Sequence, residues 1–146
     1  MRRSQRVQPV LELAENKVQE LARALGQEQQ RLAQMQLQLS ELERYRDLYQ
    51  QEMKTRSQDG LDIRQLREFH VFVERLELAV RQQQHVLSQQ QQRCDQVRGK
   101  YLAERARAQA LDKVVERYRN EESAQLARRE QNELDDLAQR YPRLTD

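Results

Sequence analysis

Tryptophan is absent from this 146-residue chain, and glycine, proline and cysteine number only three, two and one. Three glycines cannot build a phosphate-cradling loop, and neither a Walker loop nor a GxSxG nucleophile elbow occurs. The single cysteine, Cys94, rules out an intramolecular disulfide framework. No apolar run approaches the roughly 18 residues that a membrane-spanning helix needs. No signal-peptide core follows the opening MRRSQR. Aromatic residues number seven, too few for an ordinary globular core of this length. Charge of one sign is also missing, since 26 basic and 24 acidic residues are interleaved to a net +2. A nucleic-acid surface would carry a basic stripe, so none is expected. These absences favour a cytoplasmic, non-enzymatic protein.

What remains is helix-forming. Charged residues make up 34% of the chain and glutamine supplies a further 25 positions. Low hydrophobicity raises the prospect of disorder. The scarcity of proline and glycine, the balanced charge and the abundance of Gln, Glu, Arg, Leu and Ala point instead to long helices with narrow apolar stripes. A seven-residue repeat bears this out. With Leu11 at position a, the a-sites of the first half are Leu11, Val18, Leu25, Leu32, Leu39 and Arg46. Its d-sites are Ala14, Leu21, Glu28, Met35, Leu42 and Tyr49. Only Glu28 and Arg46 break the pattern. A second run places Leu66, Val73, Val80, Leu87, Cys94, Tyr101, Ala108 and Val115 at a, with three polar d-sites, Gln83, Gln90 and Glu104. Sustained a/d repeats of this kind are a coiled-coil signal. Pro9 is expected in a first helical turn, where its missing N–H costs least.

Between the runs lies TRSQDGLD, in which Gly60 offers a positive φ and Asp62 a helix cap. A narrow stripe cannot be buried alone, and a short loop favours antiparallel pairing. The expected fold is all-α: two long helices in an antiparallel coiled-coil hairpin, the second longer than the first. Residues 1–56 form the first helix, 57–62 the turn, 63–138 the second helix and 139–146 a tail, with Pro142 ending any helix. The register is expected to pair residues whose numbers total 115, such as Leu42 with Val73 and Met35 with Val80. The second helix would then overhang by some twenty to thirty residues, leaving Leu111, Val115 and Tyr118 without a partner in the chain.

Four of the seven aromatics, Tyr45, Tyr49, Phe69 and Phe72, flank this one turn. Tyr45 and Phe72 fall at g-sites, which usually carry charge. Gln38, Tyr45, Phe72 and Ala79 at g, with Leu42, Tyr49, Leu76 and Gln83 at d, form one partly exposed strip. Aromatic anchors rimmed by polar residues suit a protein-docking patch, although the same residues would also widen the core where the hairpin closes.

The segments VLELAENKVQELARALG, QLQLSELERYRDLY, the lone turn glycine and HVFVERLELAV, in that order, resemble the flagellar FliJ family of type III export. The resemblance covers most of residues 7 to 85. It implies a component that binds the export ATPase FliI, favours its hexameric ring as a rotary stalk does, and contacts the export gate protein FlhA and late-substrate export chaperones. Location at the cytoplasmic face of the membrane near the flagellar base follows, with peripheral association through partners. The family's gate-binding surface carries over to Gln38, Leu42, Tyr45, Tyr49, Phe72, Leu76, Ala79 and Gln83; histidine can stand in relatives where this chain has Gln83. By analogy with a rotary stalk, the open end, with Val7, Leu11, Leu111, Val115 and Tyr118, would face the ATPase.

No cofactor or metal is expected. His70 and His85 lie fifteen residues apart at outer helix positions and read as surface histidines. Cys94, at an a-site, reads as a small buried hydrophobe. Three other readings share parts of this pattern: a self-assembling structural coiled-coil adaptor, a nucleic-acid-associated coil, and the stalk of a virulence type III secretion system.

Overall fold

A computed structural model describes residues 1–141, so the expectation for Pro142 lies outside the described residues. They form two helices, α1 (Arg3–Gln58) and α2 (Ile63–Arg140), paired as a helical hairpin with the second helix longer. The buried residues obey the heptad repeat. Leu11, Ala14, Val73, Val80, Cys94, Ala108 and Val115 all occupy a- or d-sites, as do the buried polar residues Ser4, Gln90 and Glu104. A 3.5-residue spacing keeps these positions on the face that meets the other helix.

The connection is built as the turn residues dictate. Gly60 adopts φ 90°, a backbone conformation that side-chain-bearing residues avoid. The Asp59 N–H donates to the Arg56 carbonyl at 3.1 Å. Asp62 caps α2: its Oδ1 accepts from the Arg64 N–H at 3.0 Å, and its carbonyl accepts from the Leu66 N–H at 3.0 Å.

The chain divides into two compact units, a turn unit of Leu21–Lys100 and a terminal unit joining Met1–Glu20 to the chain from Tyr101 onward. In the turn unit, Gln38 faces Gln83 and Tyr49 faces Phe72. Facing residue numbers therefore total about 121, close to one heptad away from the expected 115. The midpoint follows the turn, which sits at Gly60 rather than two or three residues earlier. Polar heptad sites also meet across the seam in this pairing. The Gln90 amide donates to both the carboxylate and the backbone carbonyl of Glu28, the residue that broke the first helix's repeat. Gln83 donates to Gln38 Oε1 at 3.3 Å and reaches the Met35 carbonyl at 3.5 Å. Hydrophobic a/d sites accept either register, whereas a buried amide requires its partner.

In the terminal unit the corrected register changes what is covered. Val115 and Leu11 are only 2% and 4% exposed, and Leu111 and Tyr118 are half-buried. The expectation that these α2 residues lack a partner is therefore corrected. From Ser123 to Tyr141 every residue is exposed, so the uncovered part of α2 is the eighteen residues 123–140. Pro9 also lies deeper in α1 than a first turn, because the helix begins at Arg3. The turn ahead of Pro9 is held by the Arg6 N–H to Arg2 carbonyl bond and by a contact from α2 to Ser4.

Gly26 and Gly99 both sit inside helices, and a Cβ added at either would meet nothing within 4 Å. Each Gly→Ala change is expected to stabilise the protein by about 0.5–1 kcal/mol, read as a higher denaturation midpoint without a changed m-value.

Candidate docking surfaces

The strip near the turn is cross-linked at both ends. At one end the Gln83 side chain meets Gln38; at the other the Tyr49 and Phe72 rings stack at 4.6 Å between centroids, tilted by 57°. The two contacts are eleven residues apart on each helix, or roughly 16 Å. Leu42, Tyr45, Leu76 and Ala79 lie between them in sequence, so all eight residues fall within one stretch of the hairpin. None is fully buried: Tyr45 is 57% and Phe72 40% exposed, and Leu42, Tyr49, Leu76, Ala79 and Gln83 are half-buried. Hydroxyl and ring edges are thus offered to solvent on a base packed across the seam.

Toward the turn the strip continues into a cleft of about 330 Å³ that the spacing argument did not include. Tyr49, Phe69 and Phe72 supply its apolar surface, and Arg56, Gln65 and Glu68 supply polar groups. The Arg56 guanidinium lies over the Phe69 ring at 5.5 Å and pairs with Glu52 at 2.9 Å. This cation–π contact holds a charge against the aromatic floor. Its sequence signal was the pairing of a d-site Phe69 with an arginine just before the turn. Val71 and Leu78, both 48% exposed on the outer face of α2, add apolar surface nearby.

In the terminal unit the five residues expected at the open end divide by burial. Leu11 and Val115 belong to the core, while Val7, Leu111 and Tyr118 keep partial access. Arg3 and Arg117 both approach the Tyr118 ring, at 5.8 and 5.5 Å. Beside them Glu122 clasps the start of α1. The Ser4 backbone N–H donates to its Oε1 at 3.1 Å and the Ser4 hydroxyl donates to its Oε2 at 2.6 Å. One orphan N–H of a helix N-terminus is thereby satisfied from the other helix. The Ser4 hydroxyl bond, then the Ser4 N–H bond, hold the Glu122 carboxyl below its ordinary pKa, with smaller help from Arg2 and Arg119.

A carboxylate with a depressed pKa stabilises the fold fully above its unfolded-state value, and that contribution fades as pH falls through the folded one. Glu122→Gln is therefore expected to lower thermal stability at neutral pH, with the difference from the parent shrinking in acid. Amide exchange should show the loss at residues before Pro9. An unchanged exchange profile there would mean that the clasp does not hold the first turn.

Comparison with known proteins gives one decisive match. The family described as "Flagellar FliJ protein" matches residues 3–144. The chain belongs to the FliJ family. No curated protein and no solved structure matches it. As a FliJ-family member it is a component of flagellar type III export, in a family of non-catalytic stalk proteins. Among the described residues no helix is long and apolar enough to cross a membrane. No group of His, Cys, Asp and Glu among them is arranged to hold a metal ion. The family match thus extends the FliJ resemblance seen over residues 7 to 85 through the rest of α2.

Proposed function

We propose that this FliJ-family chain binds the export ATPase FliI and promotes its hexameric, active form, and that it docks to the export gate protein FlhA and to late-substrate export chaperones. The gate-docking surface is the strip of Gln38, Leu42, Tyr45, Tyr49, Phe72, Leu76, Ala79 and Gln83. The observation that carries this assignment is the exposed Tyr45 and Phe72 beside the Tyr49–Phe72 stack, which places aromatic anchors where a hairpin ordinarily shows charge. The terminal unit faces the ATPase. Since Leu11 and Val115 are core residues, the contacting groups there are the accessible Val7, Leu111 and Tyr118 together with the uncovered α2 residues that follow Glu122. This assembly places the protein at the cytoplasmic face of the membrane, held through its partners.

The test mixes the purified full chain with its cognate export ATPase and follows ring formation and ATP turnover. A chain ended after Glu122 keeps the buried core of the terminal unit and the Ser4 clasp. The expected result is stimulation by the full chain and little by the shortened one. Absence of stimulation by the full chain would overturn the ATPase assignment. Equal stimulation by both would move the contact off the uncovered segment.

A further inference from the structure

Two segments of opposite charge in the terminal unit carry exposed charged and apolar residues. Residues Met1–Leu11 contain three arginines and no acid, whereas residues Glu130–Gln139 contain four acids and no base. Arg3 and Arg6 are exposed on α1, followed by the 40%-exposed Val10 and 69%-exposed Leu13. Glu130 and Glu133 are exposed on α2, followed by Leu134 at 60% and Leu137 at 52%. None of these four charged residues forms an ion pair with another described residue.

The two blocks share one spacing. Arg3, Arg6 and Val10 stand at i, i+3 and i+7, and so do Glu130, Glu133 and Leu137. Residues so spaced lie along one face of a helix. Laid side by side in parallel, the helices would set Arg3 against Glu130, Arg6 against Glu133 and Val10 against Leu137. Within one chain this cannot occur. Glu122 is tied to Ser4, and Glu130 lies eight residues further along an unbroken helix, or about 12 Å beyond it.

We infer that the occupant of each block is the complementary block of a second copy of this chain, giving a twofold-symmetric dimer. Each copy lays the uncovered part of α2 along the start of its partner's α1, and the same contact recurs reciprocally, as a closed two-fold interface requires. The apolar residues exposed on both segments are covered together, while the charges select the parallel alignment. The dimer occupies the same end of the protein that the proposed function gives to the ATPase, so dimer and ATPase-bound forms exclude one another.

The experiment measures mass by light scattering and sedimentation equilibrium across a concentration series of the full chain. The expected result is a monomer–dimer equilibrium that weakens with added salt. Two double variants are compared, Arg3→Glu with Arg6→Glu, and Glu130→Arg with Glu133→Arg. All four positions are exposed, and circular dichroism checks that each variant keeps its helicity. Each alone is expected to dimerise at least about tenfold more weakly, because four exposed pairs become repulsive. An equimolar mixture should recover the dimer, since every reversed block then meets its complement. A full chain that stays monomeric at all concentrations overturns the proposal. So do variants that dimerise as the parent does, and so does a mixture that fails to restore the dimer.

Discussion

Alanine at both Tyr49 and Phe72 is expected to weaken binding to the export gate by about a hundredfold or more, with the hairpin still folded. The two rings touch at 4.6 Å, join α1 to α2, and keep part of their surface in solvent. Truncating a central aromatic anchor at an interface costs about 2 kcal/mol or more, and two anchors in contact act together rather than independently. Stability should fall far less, because neither ring is fully buried and the core residues Val73 and Val80 remain in place. Titration with the purified gate protein, measured by calorimetry, would check the affinity, and helicity by circular dichroism would check the fold. Val71→Ala with Leu78→Ala serves as the comparison, since both residues are exposed on α2 but lie outside the strip. If that pair weakened binding as strongly as the aromatic pair, the docking face would lie on the outer side of α2 instead.

Leucine at both Glu28 and Gln90 is expected to raise stability by about 1–4 kcal/mol while loosening the pairing of the helices. Gln90 is 2% exposed, and its amide is spent on the Glu28 carboxylate and carbonyl. Replacing a buried amide and its half-buried partner with packed apolar side chains is often stabilising, here at the loss of the Glu28–Arg31 ion pair. What is lost is the distinction between registers. In the parent, any shift of α2 must keep the Gln90 amide bonded to Glu28 or leave it unpaired, at roughly 1–3 kcal/mol. In the double variant both registers would present leucine to an apolar partner. A single buried polar site is a known way to fix the alignment of coiled coils. Chemical denaturation would read the gain in stability. Spin labels, one on each helix of the turn unit, would read the register, as two distance populations where the parent has one. A single sharp distance in the double variant would show that the turn alone sets the alignment.

That same pair explains how much was legible in the sequence. The two helices followed from spacing, because a 3.5-residue apolar repeat survives any detail of packing. The turn followed from Gly60 and Asp62, whose roles are local and were met by the backbone and cap geometry found. Register was not legible from apolar sites, since Leu42 packs as well opposite one valine as opposite another a heptad away. The shift shows instead in the Gln38–Gln83 and Tyr49–Phe72 contacts, and Glu28 and Gln90, which a count of heptad matches treats as errors, meet across the seam. The misassigned overhang was a consequence of the same shift, and so was the expectation that Val115 stood uncovered. Around the aromatic strip, the heptad positions identified the exposed Tyr45 and Phe72 and brought their neighbours to one stretch. The Arg56–Phe69 cleft was missed because the heptad sites were followed only to Tyr49, and Arg56, the last residue expected in the first helix, lies beyond them. Pro9 was misplaced for a different reason: the bonds that keep α1 helical ahead of it come partly from Glu122, 118 residues away from Ser4.

The lone thiol of Cys94 lies on the seam at 1% exposure, with no disulfide partner. A maleimide cannot reach it while the helices are closed, so its alkylation waits for them to part. The rate of that reaction is therefore a clock for local opening, wired into the chain without any added label. Under conditions where reclosing outruns alkylation, the ratio of the observed rate to that of a free thiol gives the open fraction directly. A partner that clamps the two helices together would slow the clock, and one that works by prising them apart would speed it.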